Sequence, residues 1–403
     1  MQGKDLQEEK FLGIYVHVPF CAHKCAFCGF FQQPPRRQTL DMYVETLAGD
    51  MRLQQIDRQV NTIYFGGGTP SILPTEHIYK IGETLPINSS LQEWSVECSP
   101  TGVTAEKMKA FRDIGVTRLT LGIQSFDQKI LQTIGRRQTL KQVFTAYDTM
   151  CSCGFENIGI DLIFAIPGQS LESWETDLKI ALSLSPKHIS TYNLTFEGNS
   201  ELNKQMCAGK ISPLCSDVEA EFFIRTGEIL AQHGYDRYEV SNFSKPGFES
   251  IHNVHTWEMC EWVGYGPSAS SQFNDERFTN VPSLQLWREG ILNGRHKRCD
   301  FQKLSEEILI QDSLIFGLRM TRGVDLQKLS GRFKSFSKAK YETLFNLLID
   351  NKLATCDGNN LSLTLDGLLV ADTISVEILS VESSTFPRKA ASGSLILPPR
   401  RPV

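Results

Sequence analysis

Long apolar runs, a signal-peptide core and an excess of positive charge are all missing from this 403-residue sequence. No apolar run approaches the roughly 20 residues that a membrane-spanning helix needs. Residues 1–10 are polar and lack the apolar core of a secretory signal. The formal net charge of -5 argues against a broad nucleic-acid-binding surface. We therefore expect a cytoplasmic globular protein with no transmembrane segment and no nucleic-acid partner.

The cysteine pattern of a secreted, disulfide-stapled domain is also absent. The 11 cysteines are odd in number and mostly dispersed, whereas disulfide frameworks are short and cysteine-dense. Cys21, Cys25 and Cys28 are the exception, because they follow one another with the spacing C-x3-C-x2-C. We interpret this trio as one metal site in a reducing compartment. The remaining cysteines are expected to be buried free thiols that pack as small apolar residues.

Short β-branched runs alternate with segments of helical spacing in the first half of the chain. This alternation predicts βα units around a parallel sheet. Six such units are too few for a complete eight-fold barrel. The sequence therefore predicts an α/β fold with an open, partial (β/α)6 barrel over residues 11–200. The six strand-like runs are residues 12–18, 61–65, 93–97, 116–122, 158–164 and 188–194.

The pattern changes after the sixth run. Residues 218–233 have helical spacing, and residues 235–273 are dense in aromatic and polar side chains. We expect the segment 201–300 to complete the barrel and to face a substrate or heme. Residues 1–10 form a short N-terminal extension in this division of the chain.

The last part of the chain predicts a separate small domain. Residues 304–318 have the apolar spacing of a helix, and residues 354–369 predict a hairpin with an Asp-Gly turn followed by a helix. These elements indicate an α+β C-terminal domain, winged-helix-like, over residues 301–379. Residues 380–403 are rich in Ser, Pro and Arg and are predicted to be a disordered tail.

The C-x3-C-x2-C loop directly follows the first predicted strand. Thiolates are the usual ligands of a 4Fe-4S cluster, and three of them leave one iron open, as catalytic metal sites require. At that iron the amino and carboxylate groups of S-adenosylmethionine (SAM) can chelate, and one electron then releases a 5′-deoxyadenosyl radical. The alternative is a zinc loop, which would take His17 or His23 as its fourth ligand.

The loop resembles the radical SAM superfamily. With the preceding string YVHVPFC, from Tyr15 to Cys21, it is similar to the oxygen-independent coproporphyrinogen III oxidases and their relatives. The resemblance covers about residues 11–379. It implies a 4Fe-4S cluster on Cys21, Cys25 and Cys28, with SAM as the second cofactor.

Polar and glycine residues converge on the ends of the predicted strands, which is typical of a site. The run Gly66 to Thr69 follows the second strand, where glycines let the backbone approach a ligand closely. The resemblance implies that Gly67, Gly68 and Thr69 lie at the SAM amino group. It also places Tyr15 near the cluster and Asn193 near the adenine. Four further residues match the contacts to the SAM ribose and methionine ends: Glu97, Gln124, Arg136 and Asp161.

Two motifs in the middle segment are similar to the HemW heme chaperones of this family. They are YEVSNF, ending at Phe243, and HNVHTW, from His252 to Trp257. The second matches a heme-linked H-N-x-x-Y-W motif, with Thr256 in place of the tyrosine. Imidazole is a usual heme ligand, so the resemblance implies that His252 binds heme, which is delivered to apo-hemoproteins. In a loop, His252 and His255 would both lack partners, and heme would satisfy one. The alternative is a structural His252.

Two other tetrapyrrole functions remain as alternatives. The string GFFQ from Gly29 to Gln32 resembles the anaerobic heme-degrading radical SAM methyltransferases, since most HemW relatives have Asp-Phe there. The oxygen-independent oxidases carry a fourth cysteine where this chain has Phe30, and they have a longer N-terminal extension. These differences argue against coproporphyrinogen decarboxylation. The YEVSNF and HNVHTW motifs match the HemW chaperones over more residues than GFFQ matches the degrading enzymes, so a chaperone role is favoured over catalytic turnover and heme degradation is the main alternative.

Overall fold

A parallel sheet built from the predicted βα units forms the centre of the fold. The computed structural model describes residues 11–381, so the predicted extension and almost all of the predicted tail lie outside the described residues. Each strand overlaps its predicted run, and the expected α/β fold with a partial barrel is confirmed. The strands are β1 (Leu12–Val18), β2 (Thr62–Gly67), β3 (Glu93–Cys98), β4 (Arg118–Gln124), β5 (Asn157–Phe164) and β6 (His188–Asn193).

Helices follow the strands and cover the outer face of the sheet. Side-chain caps begin several of them, as in α5, where Thr139 and Gln142 form a capping box. Apolar residues of β1 and β2 on this face, such as Val16 and Phe65, are fully buried. The helices are α1 (Arg37–Leu53), α2 (Thr75–Thr84), α3 (Ala105–Asp113), α4 (Gln128–Thr133), α5 (Leu140–Ser152), α6 (Leu171–Ser183), α7 (Glu201–Cys207) and α8 (Ser216–Gln232), with a 3-10 turn at Pro70–Ile72.

The other face of the sheet lines the barrel interior and carries polar and aromatic side chains. Because side chains alternate along a strand, Tyr15 of β1 and Tyr64 of β2 share this face, and their rings stack 6.3 Å apart. Both faces of the parallel strands are therefore covered. This explains why the strand sequences are apolar along most of their length.

The middle segment extends the sheet at both edges. β9 pairs parallel with β1 and adds a seventh parallel strand, while β8 pairs antiparallel with β6. The strand order is β12-β11-β10-β9-β1-β2-β3-β4-β5-β6-β8-β7. The added elements are β7 (Asp236–Arg237), β8 (Asn242–Ser244), α9 (Ile251–Trp257), β9 (Glu261–Tyr265), β10 (Ser270–Phe273), β11 (Glu276–Asn280), α10 (Leu284–Leu292) and β12 (Arg298–Lys303).

A smaller unit with its own three-stranded sheet follows β12. The predicted hairpin is present, with a tight turn in which Gly358 adopts a φ of 59°. Ser380, expected to begin the tail, is the last residue of a helix. The elements are α11 (Glu306–Arg319), β13 (Val324–Asp325), α12 (Leu326–Arg332), α13 (Lys338–Asp350), β14 (Ala354–Asp357), β15 (Asn360–Leu363), α14 (Leu365–Leu369) and α15 (Ala371–Ser380). Across residues 11–381, no helix has the length and apolar character to cross a membrane.

A buried carboxylate connects the barrel to the middle segment. Asp50, near the end of α1, is 1% exposed. It accepts hydrogen bonds from the backbone N–H of Gly266 at 2.9 Å, from Trp287 Nε1 at 3.0 Å and from His296 Nε2 at 2.9 Å. Asp50 therefore joins the first helix to the turn after β9, to α10 and to the loop that follows α10.

Replacing Asp50 with Ala should lower the free energy of unfolding by about 3 kcal/mol, because two buried donors and the half-buried His296 lose their acceptor. Urea denaturation followed by circular dichroism measures this change. Asp57→Ala is the matched control, since Asp57 is exposed. Equal stabilities of the two variants would contradict the role assigned to Asp50.

Candidate functional site

The three cysteines of the C-x3-C-x2-C loop lie just beyond the carboxyl end of β1. All three are half-buried free thiols. Backbone hydrogen bonds fix the loop, because the Ala26 N–H donates to the Ile134 carbonyl and the Ala26 carbonyl accepts from Leu202, both at 2.9 Å. The loop is thus held from two sides of the barrel mouth, and its thiols remain partly accessible.

Burial and one cation set the chemistry of these thiols. Burial raises the pKa of Cys21 to about 11 and also raises the pKa of Cys28. Arg136 Nη1 lies 3.6 Å from the sulfur of Cys25, where its positive charge complements the negative charge of a metal–thiolate centre. A bound metal reverses the effect of burial, because a coordinating thiol is deprotonated outright. This donor set fits an anionic metal–thiolate centre.

The structure gives the zinc alternative no support. One zinc ion at about 2.3 Å from each sulfur would bring every pair of sulfurs within about 4.6 Å. In residues 11–381, the one group of three His, Cys or carboxylate ligand atoms within 4.8 Å of one another lies elsewhere in the fold. His17 is buried and uses both ring nitrogens, with Tyr15 Oη and the Phe31 carbonyl each 3.1 Å away. His23 is exposed.

The glycine run at the end of β2 packs against the cluster loop. Gly67 has a φ of 98°, and a Cβ there would lie 2.4 Å from the His17 ring. A Cβ on Gly68 would lie 2.7 Å from the carbonyl oxygen of Phe20. Thr69 is next, with its hydroxyl 3.4 Å from the Cys21 sulfur. These glycines are therefore required by the fold itself, whether or not a ligand approaches them.

Two carboxylates lie on the inner face of the barrel, near the rim that is formed by the carboxyl ends of the parallel strands. Glu97 Oε1 accepts a hydrogen bond of 2.9 Å from the Tyr64 hydroxyl. Burial, with the nearby charge of Asp161, raises the pKa of Glu97 to about 7. Burial also raises the pKa of Asp161 to about 6. The negative interior suits a cationic ligand that carries hydroxyl donors, and SAM is such a molecule.

Strain and an unpaired donor mark the opposite side of the rim. Gln124 ends β4 at a φ of 75°, where the pairing with β5 shifts register after Gly122. Such backbone strain in a residue other than glycine is common at functional sites. Arg136 donates to the Gly122 carbonyl, but its buried Nε has no partner. Asn193 ends β6, is exposed and donates to Glu219 at 3.3 Å.

His252 lies at the opposite end of the barrel from the cluster loop. Its Nδ1 is 2.8 Å from the hydroxyl of Thr62, the first residue of β2. Its ring stacks on Tyr64 at 5.2 Å, and its backbone N–H donates to Glu93, the first residue of β3. The imidazole is 7% exposed, and burial lowers its pKa to about 3.

The HNVHTW run is not a loop, so the condition under which the two histidines would lack partners is not met. The run lies in α9, which Ser250 caps and whose first N–H groups donate to the buried Glu93 carboxylate. Thr62 pairs with His252, and His255 Nδ1 lies 3.0 Å from Glu258. A lack of hydrogen-bond partners therefore gives no reason for either imidazole to take an iron.

A cationic cleft of about 470 Å³ opens beside the cluster loop. Four positive side chains line it, although the whole chain has a net charge of -5. Three of them could not be predicted from the sequence, because isolated basic residues on loops and helices carry no periodic signal. The four are Lys24, Arg136, Arg137 and Lys204; Glu201 is the acidic residue of the lining, with an oxygen 3.9 Å from Lys204 Nζ.

Other predictions of residue environment have mixed outcomes. Tyr64, which joins Glu97 to His252, was missed, although its place two residues before Gly66 in an alternating strand could have identified it.

Of the cysteines outside the cluster loop, Cys98 is buried as expected. The prediction of burial is wrong for four that are exposed, because they lie on solvent-facing helix and hairpin positions: Cys151, Cys207, Cys215 and Cys356.

Comparison with known proteins agrees with this arrangement. The radical SAM superfamily model matches residues 15–181, and the HemN C-terminal domain model matches residues 304–370. The solved coproporphyrinogen III oxidase HemN of Escherichia coli superposes with a TM-score of 0.80 at 23% identity, covering 92% of this chain and 91% of that one. This likeness establishes the fold.

Relatives with higher identity cover almost the whole chain. Heme chaperone HemW of Lactococcus lactis is 33% identical over 364 residues, which are 89% of this chain and 95% of that protein. Heme chaperone HemW of Bacillus subtilis is 31% identical, covering 89% of this chain and 97% of that protein. Membership of the radical SAM superfamily implies a 4Fe-4S cluster and SAM. The chain belongs to the heme chaperone HemW family within the radical SAM superfamily.

Proposed function

We propose that this protein is a cytoplasmic heme chaperone that binds heme and delivers it to apo-hemoproteins. The observation that carries the proposal is the 33% identity to a heme chaperone HemW of which 95% is covered. The cationic cleft supports it, because heme carries two propionate groups. Carboxylates form strong charge-assisted hydrogen bonds with arginine and lysine.

The cluster in this proposal is held by Cys21, Cys25 and Cys28. Three thiols on one fixed loop supply three of the four iron ligands of a 4Fe-4S cube. Arg136 beside Cys25 balances part of the negative charge of the thiolates. When reduced, such a cluster supplies one-electron cleavage of SAM.

SAM in this proposal lies along the rim formed by the ends of β1 to β5. Glu97 and Asp161 offer acceptors to hydroxyl and amino groups, and the strained Gln124 and the unpaired Nε of Arg136 offer donors. Four further residues complete this proposed pocket and contact SAM or the groups around it: Tyr15, Gly67, Gly68 and Thr69.

For heme we propose that the propionates bind the cleft cations Lys24, Arg137 and Lys204. The exposed imidazole in the same cleft belongs to His23. His252, implied as a heme ligand by the family resemblance, is almost fully buried on the side of α9 that packs against β2 and β3. A macrocycle could reach it only if α9 moved away from β2 and β3, which would leave the Glu93 carboxylate without its backbone donors.

The position of the cleft also fits one alternative function, heme degradation. Cys25 itself lines the cleft, so a tetrapyrrole there would lie beside the cluster. That proximity is what a heme-degrading radical SAM methyltransferase requires. Anaerobic incubation of the reconstituted protein with heme, SAM and a reductant, followed by mass spectrometry, separates the two. Unchanged heme supports the chaperone, and a methylated linear tetrapyrrole supports the degrading enzyme.

Single replacement of Cys21, Cys25 or Cys28 with Ala should abolish cluster assembly, because each removes the protein ligand of one iron. Iron analysis and the visible spectrum after anaerobic reconstitution measure the loss, against about four irons per chain in the parent. Cys215→Ala is the matched control, because Cys215 is exposed and far along the chain. A full cluster in any of the three loop variants would refute the assignment.

SAM affinity should increase as the pH rises through about 7, because Glu97 has a raised pKa of about 7 and only its ionised form offers both oxygens as charged acceptors. If the ionised form alone binds, affinity changes about tenfold between pH 6 and pH 8. Anaerobic calorimetry of the holoprotein measures this dependence. Glu97→Gln should bind more weakly and lose most of the dependence; an unchanged pH profile in that variant would count against the contact.

Heme affinity should fall at least about tenfold in the double variant Arg137→Ala/Lys204→Ala, because each lost charge-assisted bond contributes about 1.5–3 kcal/mol. Titration monitored by the Soret band measures the affinity. Lys80→Ala/Lys109→Ala removes the same charge from exposed positions outside the cleft and should bind like the parent. If only His252→Ala weakens binding, the cleft is not the heme site.

A further inference from the structure

Three metal-ligating side chains converge between the end of α9 and the start of β9, in the sequence H-x2-E-x-C. His255 Nδ1 lies 3.0 Å from Glu258 Oε2 and 3.6 Å from Cys260 Sγ. The three ligand atoms all lie within 4.8 Å of one another, and no other such group is present in residues 11–381. All three residues are half-buried.

The spacing of these atoms matches the coordination sphere of a small tetrahedral ion. Zinc binds nitrogen and carboxylate oxygen at about 2.0–2.2 Å and sulfur at about 2.3 Å. Tetrahedral angles then place nitrogen and sulfur about 3.6 Å apart, and nitrogen and oxygen about 3.3 Å apart. The observed separations of 3.6 and 3.0 Å require only small side-chain adjustments.

Neighbouring residues hold each ligand in place, as outer partners do at metal sites. Phe11 stacks on the His255 ring with centroids 3.6 Å apart and planes 17° apart. Arg322 binds Glu258 Oε1, which leaves the other carboxylate oxygen facing the imidazole. Arg332 donates to the carbonyls of Glu258 and Met259 at 2.8 and 2.6 Å.

We propose that His255, Glu258 and Cys260 bind one divalent transition-metal ion, with zinc as the best match and water in the fourth position. The Cys260 proton leaves to solvent on binding, and His255 binds as a neutral imidazole. The thiolate and the carboxylate neutralise the two charges of the ion, and Arg322 remains outside its coordination sphere. The ion ties the end of α9 to β9.

This site is independent of the cluster and of the proposed heme cleft. The cluster loop lies at the carboxyl end of β1, whereas Phe11 precedes that strand at its other end. His255 is also one turn along α9 from His252, so the ion would fix the helix that carries that buried imidazole. Loss of the site would therefore leave the cluster and its ligands intact.

Cobalt(II) titration of the holoprotein tests the proposal, because the cluster then occupies the loop cysteines. We expect one saturable equivalent beyond the cluster iron, with tetrahedral absorption bands and a thiolate-to-cobalt charge-transfer band in the difference spectrum. Added zinc should displace the cobalt. Cys260→Ser should lose the charge-transfer band, and His255→Ala should weaken binding at least tenfold. Cys356→Ser, which removes an exposed thiol from the C-terminal hairpin, should behave like the parent.

The proposal is overturned if no charge-transfer band forms, or if the band persists in Cys260→Ser. It is also overturned if hemin shifts its Soret band through His255 and Cys260 while cobalt does not bind, since the site would then take heme iron. Far-ultraviolet circular dichroism confirms that each variant is folded before titration. The heme and cluster measurements of the proposed function use other residues, so the two ideas fail separately.

Discussion

The close contact between the glycine run of β2 and the cluster loop is the constraint on which the site depends. Gly67 and Gly68 leave no room for a Cβ, since one would meet the His17 ring and the other the Phe20 carbonyl. Backbone hydrogen bonds fix this contact: Gly68 donates to Val18 at the end of β1 at 2.9 Å, and Thr69 donates to Phe20 just beyond it at 2.8 Å. The loop cysteines therefore start from a rigid backbone, as a preorganised metal site requires. A side chain at Gly67 or Gly68 would disturb folding and the cluster together, so effects there say little about SAM.

Much of the fold could be predicted because its signals are local. The strands follow from apolar runs, and the metal site follows from three cysteines on one loop. The position of β9 could not be predicted in this way, because its place beside β1 depends on a pairing between distant parts of the chain. The location of His252 is a similar case. The Glu93 carboxylate, 159 residues earlier, accepts its backbone N–H and helps hold α9 under the barrel. A sequence motif shows that such residues occur together but not which end of the barrel they occupy.

One aromatic ring, that of Tyr64, connects the two ends of the barrel interior. The Tyr64 hydroxyl donates to Glu97 at the rim, and the same ring stacks on His252 at the base. Burial raises the pKa of Tyr64 well above its ordinary value and lowers that of His252 to about 3. Both side chains therefore stay neutral near pH 7. The cationic cleft lies outside this interior, beside the cluster loop.

Because Tyr64 connects His252 to Glu97, a loss of heme binding after replacement of His252 has two different explanations. Removing the imidazole takes away the partner of Thr62 and the stacking surface of Tyr64, so the Tyr64 hydroxyl becomes free to shift away from Glu97. Weaker heme binding in such a variant could then arise through the SAM pocket without any bond from His252 to iron. Thr62→Val separates the two causes, because it removes the hydrogen bond and leaves the imidazole. If His252 ligates iron, heme binding should survive that change, and if His252 positions Tyr64, SAM binding should weaken in both variants.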